Sequence, residues 1–222
     1  YSDYVRWPIH MDVEKDDLVE TGEKDEKGEP KKEWKTSVVD EVVNSMVPIW
    51  QKSKSEVSDE ECFKFYKEKF RDWEDPLAVI RINAEGAVSY KAMLFAPFNY
   101  YSRDFEPGLQ LYSSGVMIME KRKDLLPNCF SFVRGVVDSP DLSLNISREI
   151  LQHDRQLATI RANVEKKVKA ELERMLKDER EKYEGFFKNF GLQLKYGMVE
   201  DYGAKADMLK DLLLFHSLKQ DK

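Results

Sequence analysis

The sequence predicts an α+β protein in which a mixed β-sheet lies between helical layers, as a layered α/β/α sandwich. The first observation is a set of short runs rich in β-branched and aromatic residues, at 77–82, 88–95, 109–119 and 131–137. The second is that a helix signal precedes these runs and a long helical repeat follows them from residue 155. With 222 residues, of which 41% are hydrophobic, the chain can bury one sizeable core plus a smaller unit.

The first part of the chain predicts a hairpin with a long charged connection. Residues 5–13 have strand character, with Pro8 indicating an edge or a bulge, and residues 34–39 can return as the partner strand. Residues 14–35 are dense in Glu, Asp and Lys, so we expect a mobile, solvated loop there.

A helix is predicted after Ser58, because Ser58 and Glu61 have the spacing of a capping box. Its apolar stripe consists of Cys62, Phe63, Tyr66 and Phe70, and we expect Trp73 and Pro76 to end it. Runs 77–82 and 88–95 then form a hairpin around Gly86. Runs 109–119 and 131–137 each predict one further strand, with a helical turn at 124–126 between them.

Three helices are predicted in the last third of the chain. From Arg155 a long helix carries an apolar stripe of Leu157, Ile160, Val164, Val168, Leu172, Met175 and Leu176. A second begins near Asp178 and stops at Gly191, a residue typical of helix ends. A third spans 204–217, and its stripe, which includes Leu209 and Leu212, suggests self-association.

Composition argues against several classes of partner. A net charge of -6 predicts no nucleic-acid partner, although Lys121-Arg-Lys123 is a small basic spot on an expected solvated turn. No apolar run approaches the ~20 residues of a membrane helix, so we expect no membrane partner. Cys62 and Cys129 have no metal-site or redox spacing, which predicts buried thiols and a cytoplasmic location. The three scattered histidines predict no metal site.

Arg148 is the residue with the most direct chemical interpretation. It follows Pro140 and the alternating Leu142, Leu144 and Ile146, which favour a rigid loop. A guanidinium held in this way can neutralise charge on a phosphate of another domain. From the residues alone, a surface ion pair with Glu149 or another acid is the commoner role.

Several motifs resemble the heat-shock-protein-90 chaperone family, bacterial HtpG type, and they occur in the same order. They are residues 134–152, Asp72-Trp-Glu-Asp-Pro-Leu77, Leu94-Phe-Ala-Pro-Phe98, Leu111-Tyr112 and Tyr183-Glu-Gly-Phe-Phe-Lys-Asn-Phe-Gly191. The resemblance implies a middle-domain fragment of an ATP-dependent chaperone. Residues 1–43 are then the terminal strand of a preceding ATP-binding domain with a charged linker, and 44–177 a large α/β/α unit. Residues 178–202 are a helical connector, and 203–222 the first helix of a truncated second small α/β unit.

The resemblance also implies site residues. Arg148 matches the arginine that reaches the γ-phosphate of ATP, and Asn145 and Gln152 match polar neighbours that set its loop. The chain has no phosphate-binding glycine motif, so it alone should not hydrolyse ATP. The resemblance implies that ATP with Mg is bound by a separate N-terminal domain. The family is dimeric through a carboxy-terminal domain, which implies a homodimer of the full-length protein.

Client-protein contacts form the second implied task. Trp73 and Met117 match family positions that meet client proteins, although a Trp at a helix end and a strand Met are more often packing residues. Ser113-Ser-Gly115 stands where the family often has two basic residues, which puts a phosphate role for that strand in doubt. We expect the neighbouring aromatics Tyr100, Tyr101 and Phe105 to form an exposed client-binding patch instead.

Two other function classes stay open at this point. One is a protein-interaction module in which Arg148 has no part in ATP chemistry. The other is a small-molecule enzyme, which the spacing of the carboxylates, histidines and cysteines does not favour.

Overall fold

The computed structural model describes residues 4, 7–24, 30–44, 46–99, 107–142 and 155–215. The chain divides into two compact units, residues 1–47 and residues 48–222. The site discussed below lies in the second unit. No helix among the described residues is long and apolar enough to cross a membrane.

The first unit contains a two-stranded antiparallel ribbon of β1 (His10–Lys24) and β2 (Pro30–Val42), in which Val13 lies opposite Val39. The predicted hairpin is confirmed. The loop predicted over 14–35 is wrong because both strands continue through most of it, although the side chains described at 14–17 and 34–35 are exposed as expected. Charged and polar side chains support this extension across the strands. Thr36 Oγ1 donates to Asp16 Oδ1 at 2.6 Å, and Lys15 pairs with Glu41 at 2.5 Å.

The second unit contains a five-stranded mixed sheet in the order β3-β4-β7-β5-β6. Its strands are β3 (Ala78–Ala84), β4 (Tyr90–Ala96), β5 (Leu109–Ser113), β6 (Val116–Arg122) and β7 (Arg134–Asp138). β5 and β7 are parallel, and the other neighbours are antiparallel. The single strand predicted over 109–119 is wrong, because Ser114 and Gly115 adopt positive φ values of 50° and 83° and turn the chain back.

One face of the sheet is covered by α1 (Asp59–Phe70), which begins at the predicted capping box of Ser58 and Glu61. The helix ends at Arg71, whose left-handed conformation stops it before the predicted Trp73 and Pro76. Tyr66 packs on Phe95 of β4, with ring centroids 5.0 Å apart. An aromatic layer therefore joins the helix to the sheet.

The other face is covered by α2 (Arg155–Asp178) and α3 (Arg180–Val199). The predicted stripe of α2 is confirmed, since its residues from Leu157 to Met175 are buried in the core. The helix end predicted at Gly191 is wrong. Gly191 is buried in the middle of α3, where neighbouring aromatic packing outweighs the ~1 kcal/mol helix penalty of glycine.

The last described element is short. α4 (Ala206–Leu209) is followed by a 3-10 turn, Lys210–Leu212, so the helix predicted over 204–217 does not run continuously. Leu209 and Leu212 are fully buried in the same core as α2 and α3. The stripe that suggested self-association is therefore largely covered within the chain, and the α+β prediction with a mixed, helix-covered sheet is confirmed.

Candidate functional site

Asn145, Arg148 and Gln152, the residues expected to serve ATP hydrolysis, lie outside the described residues. The structure does describe the positions that flank them. The chain leaves β7 at Asp138 and is described as far as Leu142, and the description resumes at Arg155, the first residue of α2. The geometry of the flanking polar groups can therefore be stated.

Asp138 ends β7 as a buried carboxylate, 1% exposed, that accepts three hydrogen bonds. Trp50 Nε1 donates to Oδ2 at 3.0 Å and Gln51 Nε2 donates to the same oxygen at 2.7 Å. The backbone N–H of Gly115 donates to Oδ1 at 3.3 Å. A buried charge needs this degree of hydrogen bonding, so the carboxylate ties the end of β7 to the segment after Pro48 and to the β5–β6 turn.

Ser139 continues this anchor and is fully buried. Its backbone N–H donates to Tyr112 O at 3.1 Å, and its hydroxyl donates to Ser89 O at 2.7 Å. The backbone N–H of Ser89 in turn donates to Asp141 Oδ2 at 2.7 Å. The reciprocal bonds between Ser89 and the 139–141 turn fix the chain where it leaves the sheet.

The β5–β6 turn also binds the residues at and just after the end of β7, Asp138 and Leu142. Ser113 is buried and its hydroxyl donates to Leu142 O at 2.5 Å. Gly115 binds Asp138 as described above. These residues belong to Ser113-Ser-Gly115, the stretch that departs from the resembled family pattern. In this chain the stretch stabilises the residues before Arg148 through hydrogen bonds, a role that needs no positive charge.

Trp73 lies in a separate turn after α1 and is 90% exposed. Its backbone N–H donates to Asp72 Oδ1 at 2.9 Å, and that of Glu74 donates to the same oxygen at 3.4 Å. The other carboxylate oxygen of Asp72 accepts from the Tyr66 hydroxyl at 2.5 Å and from Arg134 Nη1 at 3.5 Å. The Trp73 backbone is therefore fixed while its indole ring faces solvent.

Burial of the Tyr66 ring raises the pKa of its hydroxyl, and the neighbouring Asp72 carboxylate raises it further. The hydroxyl therefore stays protonated and remains a hydrogen-bond donor to Asp72 at every pH in the ordinary range.

Met117 lies on β6, an edge strand, and is half-buried opposite Tyr112. Trp73 lies in the loop that leads to β3, the strand at the other edge of the sheet. The structure therefore places the two residues on different elements at opposite ends of the strand order. Tyr100, Tyr101 and Phe105 lie outside the described residues.

The described part of the chain contains no group of three or more His, Cys, Asp or Glu side chains that could hold a metal ion. Burial raises the pKa of Cys62, and it raises the pKa of Cys129 to about 12. Both cysteines are free and buried, as expected from the sequence. The Lys121-Arg-Lys123 spot differs from the expectation of a solvated turn, since Arg122 is buried and bound to Asp124 at 2.7 Å.

A family model decides which family this architecture represents. The model of the Hsp90 protein family matches residues 1–222. The chain belongs to the Hsp90 family.

Individual Hsp90 relatives agree with this assignment. Chaperone protein HtpG of Oceanobacillus iheyensis and that of Bacillus subtilis are each 54% identical to the chain over 226 aligned residues. Each alignment covers 100% of this chain and 35% of the relative. The chain thus spans about a third of the length of these curated relatives.

Among solved structures, the middle domain of a putative heat shock protein of Plasmodium falciparum is similar to the chain. Its TM-score is 0.68 at 27% sequence identity, over 79% of this chain and 70% of that chain. The expected resemblance is confirmed, and the chain is an Hsp90 middle domain of the HtpG type.

Sequence reasoning missed the residues that hold the end of β7 in this Hsp90 chain. Trp50 and Asp138 are separated by 88 positions, and Tyr112 and Ser139 by more than twenty, so no local pattern links them. The sequence signal for buried polar contacts was that Asp138 and Ser139, two polar residues, directly follow an apolar run. A polar pair at that position must find buried partners, but their identity depends on the fold.

Proposed function

We propose that the chain is the part of an ATP-dependent Hsp90 chaperone that delivers Arg148 to the γ-phosphate of ATP. ATP and its Mg²⁺ are held by a preceding domain, and residues 1–43 supply the last strand of that domain and the linker. In the full-length protein, residues 44–177 belong to a large α/β/α unit, 178–202 to a helical connector, and 203–222, although they pack on the same core in this chain, lead into a following small α/β domain. Asn145 and Gln152 position the Arg148 segment, and the protein is cytoplasmic.

The observation that supports the proposal is the set of buried hydrogen bonds at Asp138 and Ser139, the residues at the end of β7 that precede the Arg148 segment. Asp138 and Ser139 together make five hydrogen bonds to four other parts of the second unit. A segment fixed at its start loses less freedom when it docks on a nucleotide, so more of the binding energy can stabilise the transition state.

A guanidinium delivered from another domain stabilises the charge of phosphoryl transfer only after the two domains close. Hydrolysis is therefore coupled to closure, and ATP binding is not. Since none of the groups described in this chain is required to hold the nucleotide, loss of Arg148 should affect turnover selectively.

The test uses HtpG of Bacillus subtilis in which the region matched by this chain is replaced by the chain itself. Arg148→Ala should lower ATP turnover by about a thousandfold while the affinity for ATP stays within about twofold. Arg161→Ala, an exposed arginine on α2, is the matched control and should leave both unchanged. Wild-type turnover in Arg148→Ala, or an equal loss of ATP affinity, would contradict the proposal and favour the interaction-module alternative.

Client-protein binding is a second proposed task, and the exposed Trp73 favours it. Its ring is 90% exposed although its backbone is held by Asp72, so a partner could bury it without ordering the turn. Met117, Tyr100, Tyr101 and Phe105 contribute further apolar contacts, and the full-length protein acts as a homodimer.

Binding of a permanently unfolded probe, reduced and carboxymethylated α-lactalbumin, tests this task in the same chimeric protein. Trp73→Ala should weaken binding about tenfold, as expected for an aromatic side chain buried at an interface. Trp34→Ala is the control, because Trp34 is also exposed but lies on the β1–β2 ribbon. Equal effects of the two substitutions would remove the assigned role of Trp73.

A further inference from the structure

β3 forms one end of the five-stranded sheet, so one of its edges has no neighbouring strand within the described part of the second unit. Alternate backbone N–H and C=O groups along that edge are available to pair with an extended chain. Antiparallel β4 occupies the other edge over the whole of β3. The free edge of β3 is thus a template for one more strand.

A groove runs along this edge between the two helical layers. It encloses a cavity of about 790 Å³ and is lined by residues of β3, α1, α2 and the start of α3. Phe63 of α1 lies on one side, and Ala170 of α2 lies on the other. Its size falls in the range of roughly 300–1,000 Å³ that is typical of ligand sites.

Both walls of the groove are held by hydrogen bonds. On the α1 side, Arg81 Nη2 donates to Lys52 O at 2.8 Å and to Ser53 O at 3.4 Å, which fixes the segment before α1 against β3. On the α2 side, Arg174 binds Glu171 at 2.7 Å and Glu179 at 2.5 Å. The first set of contacts joins the segment before α1 to β3, and the second joins α2 to the residue that precedes α3.

The unmatched charge in the groove is positive. Glu171 and Glu179 are paired with Arg174, as just described. Among the described residues that line the groove, Lys54, Arg81 and Lys167 have no carboxylate partner, whereas Asp59 is the one acid without a cationic partner. Three cations against one acid favour a ligand with negative side chains.

We propose that the β3 edge binds an extended, acidic segment of a partner polypeptide, which adds to the sheet as a sixth strand. Backbone pairing with β3 supplies affinity that is independent of sequence, and Lys54, Arg81 and Lys167 select acidic side chains. The side chains of the added strand alternate between the α1 wall and the α2 wall. This site involves neither Arg148 nor Trp73, and it goes beyond the function proposed above.

The test measures binding of short fluorescein-labelled peptides to the 222-residue chain by fluorescence anisotropy. One peptide alternates valine and glutamate, a second alternates valine and lysine, and a third repeats the first with every backbone amide N-methylated, so that neither of its edges can donate to β3. The first should bind at least about tenfold more tightly than either of the others. Hydrogen exchange should slow at the amides of Ala78–Ala84 when the first peptide is added.

Lys166 and Lys167 are neighbouring exposed lysines on α2, and Lys167 lines the groove whereas Lys166 does not. The matched variants are therefore Lys167→Glu and, as the control, Lys166→Glu. Lys167→Glu should weaken the acidic peptide about tenfold, and Lys166→Glu by less than about twofold. Equal effects of the two variants, tight binding of the N-methylated peptide, or unchanged exchange in β3 would overturn the inference. Because the assay contains no nucleotide and reads β3 directly, its failure would leave the proposed roles of Arg148 and Trp73 standing.

Discussion

Replacement of Asp138 by alanine removes the hydrogen-bond acceptor that holds the end of β7, just before the Arg148 segment. Three donors converge on this carboxylate, from Trp50, Gln51 and Gly115. The bonds from Trp50 and Gly115 are buried, whereas the bond from Gln51 is partly buried. The three donors therefore respond differently when the carboxylate is lost.

The cost can be estimated donor by donor. Each buried N–H that loses its acceptor costs about 1–3 kcal/mol, and two such groups are created. Gln51 is half-buried and can turn towards water, so its contribution is small. Removal of a buried charge offsets part of the loss. We expect Asp138→Ala to lower the free energy of unfolding by about 3 kcal/mol, and Asp138→Asn, which keeps one acceptor oxygen, by about 1 kcal/mol.

Urea unfolding of the 222-residue chain, followed by far-ultraviolet circular dichroism, measures both values without relying on the fluorescence of Trp50. Asp207→Ala is the control, because its side chain is 99% exposed, and it should change the free energy of unfolding by less than about 0.5 kcal/mol. A loss below about 1 kcal/mol in Asp138→Ala, or an equal loss in Asp207→Ala, would refute the anchoring argument.

Three further predictions concern packing, ionisation and the Trp73 turn. In Gly197→Ala the new Cβ would lie 2.5 Å from Cys129 Cβ, so we expect about 2 kcal/mol of destabilisation in urea unfolding. Gly185→Ala, with no atom within 4 Å of its new Cβ, should be neutral or stabilise by up to about 1 kcal/mol. Because burial raises the pKa of Cys129 to about 12, its thiol ionises first in the unfolded state. Above pH ~9 this thiol should therefore lower the free energy of unfolding by up to ~1.4 kcal/mol per pH unit, a slope that Cys129→Ala reduces. Tyr66→Phe removes the 2.5 Å bond to Asp72, and it should cost about 1 kcal/mol and speed amide exchange in the Trp73 turn.

A specific result would contradict each of these three predictions. Equal stability of the two glycine variants would show that α3 can shift away from the 128–130 turn. A pH slope that is unchanged by Cys129→Ala would assign the slope to other groups. Tyr196→Phe, on an exposed ring of α3, is the control for Tyr66→Phe, and equal exchange rates in both variants would separate Tyr66 from the turn.

The parts of the fold that sequence predicted well are those set by local periodicity and capping. The stripe from Leu157 to Met175 repeats at helical spacing and is buried as expected. Ser58 and Glu61 satisfy each other's backbone groups as their spacing indicates. In these elements each residue's environment is determined by neighbours three or four positions away.

The errors occur where distant residues decide the outcome. The charged strands β1 and β2 have little apolar content, and only their mutual register, such as Asp16 opposite Thr36, supports their extent. Gly191 is buried inside α3, and the atoms nearest to its missing side chain belong to Phe187 of the same helix, a packing arrangement that the helix-ending preference of glycine does not reveal. At the candidate site, the resemblance indicated Arg148, but the Trp50, Asp138 and Ser139 contacts depend on strand order, which no local motif encodes.

The central position of β7 has a consequence for biogenesis. β7 lies between β4 and β5, and its parallel pairing with β5 joins segments that are distant along the chain. Gly135 permits this close insertion, since a Cβ there would lie 2.4 Å from Met93 O. The outer hairpins β3–β4 and β5–β6 each join neighbouring segments, so the five-stranded sheet is complete only after residues 134–138 have been synthesised and have paired between them. Asp138 ends this central strand, so its contacts with Trp50, Gln51 and Gly115 depend on β7 being in place between its two neighbours.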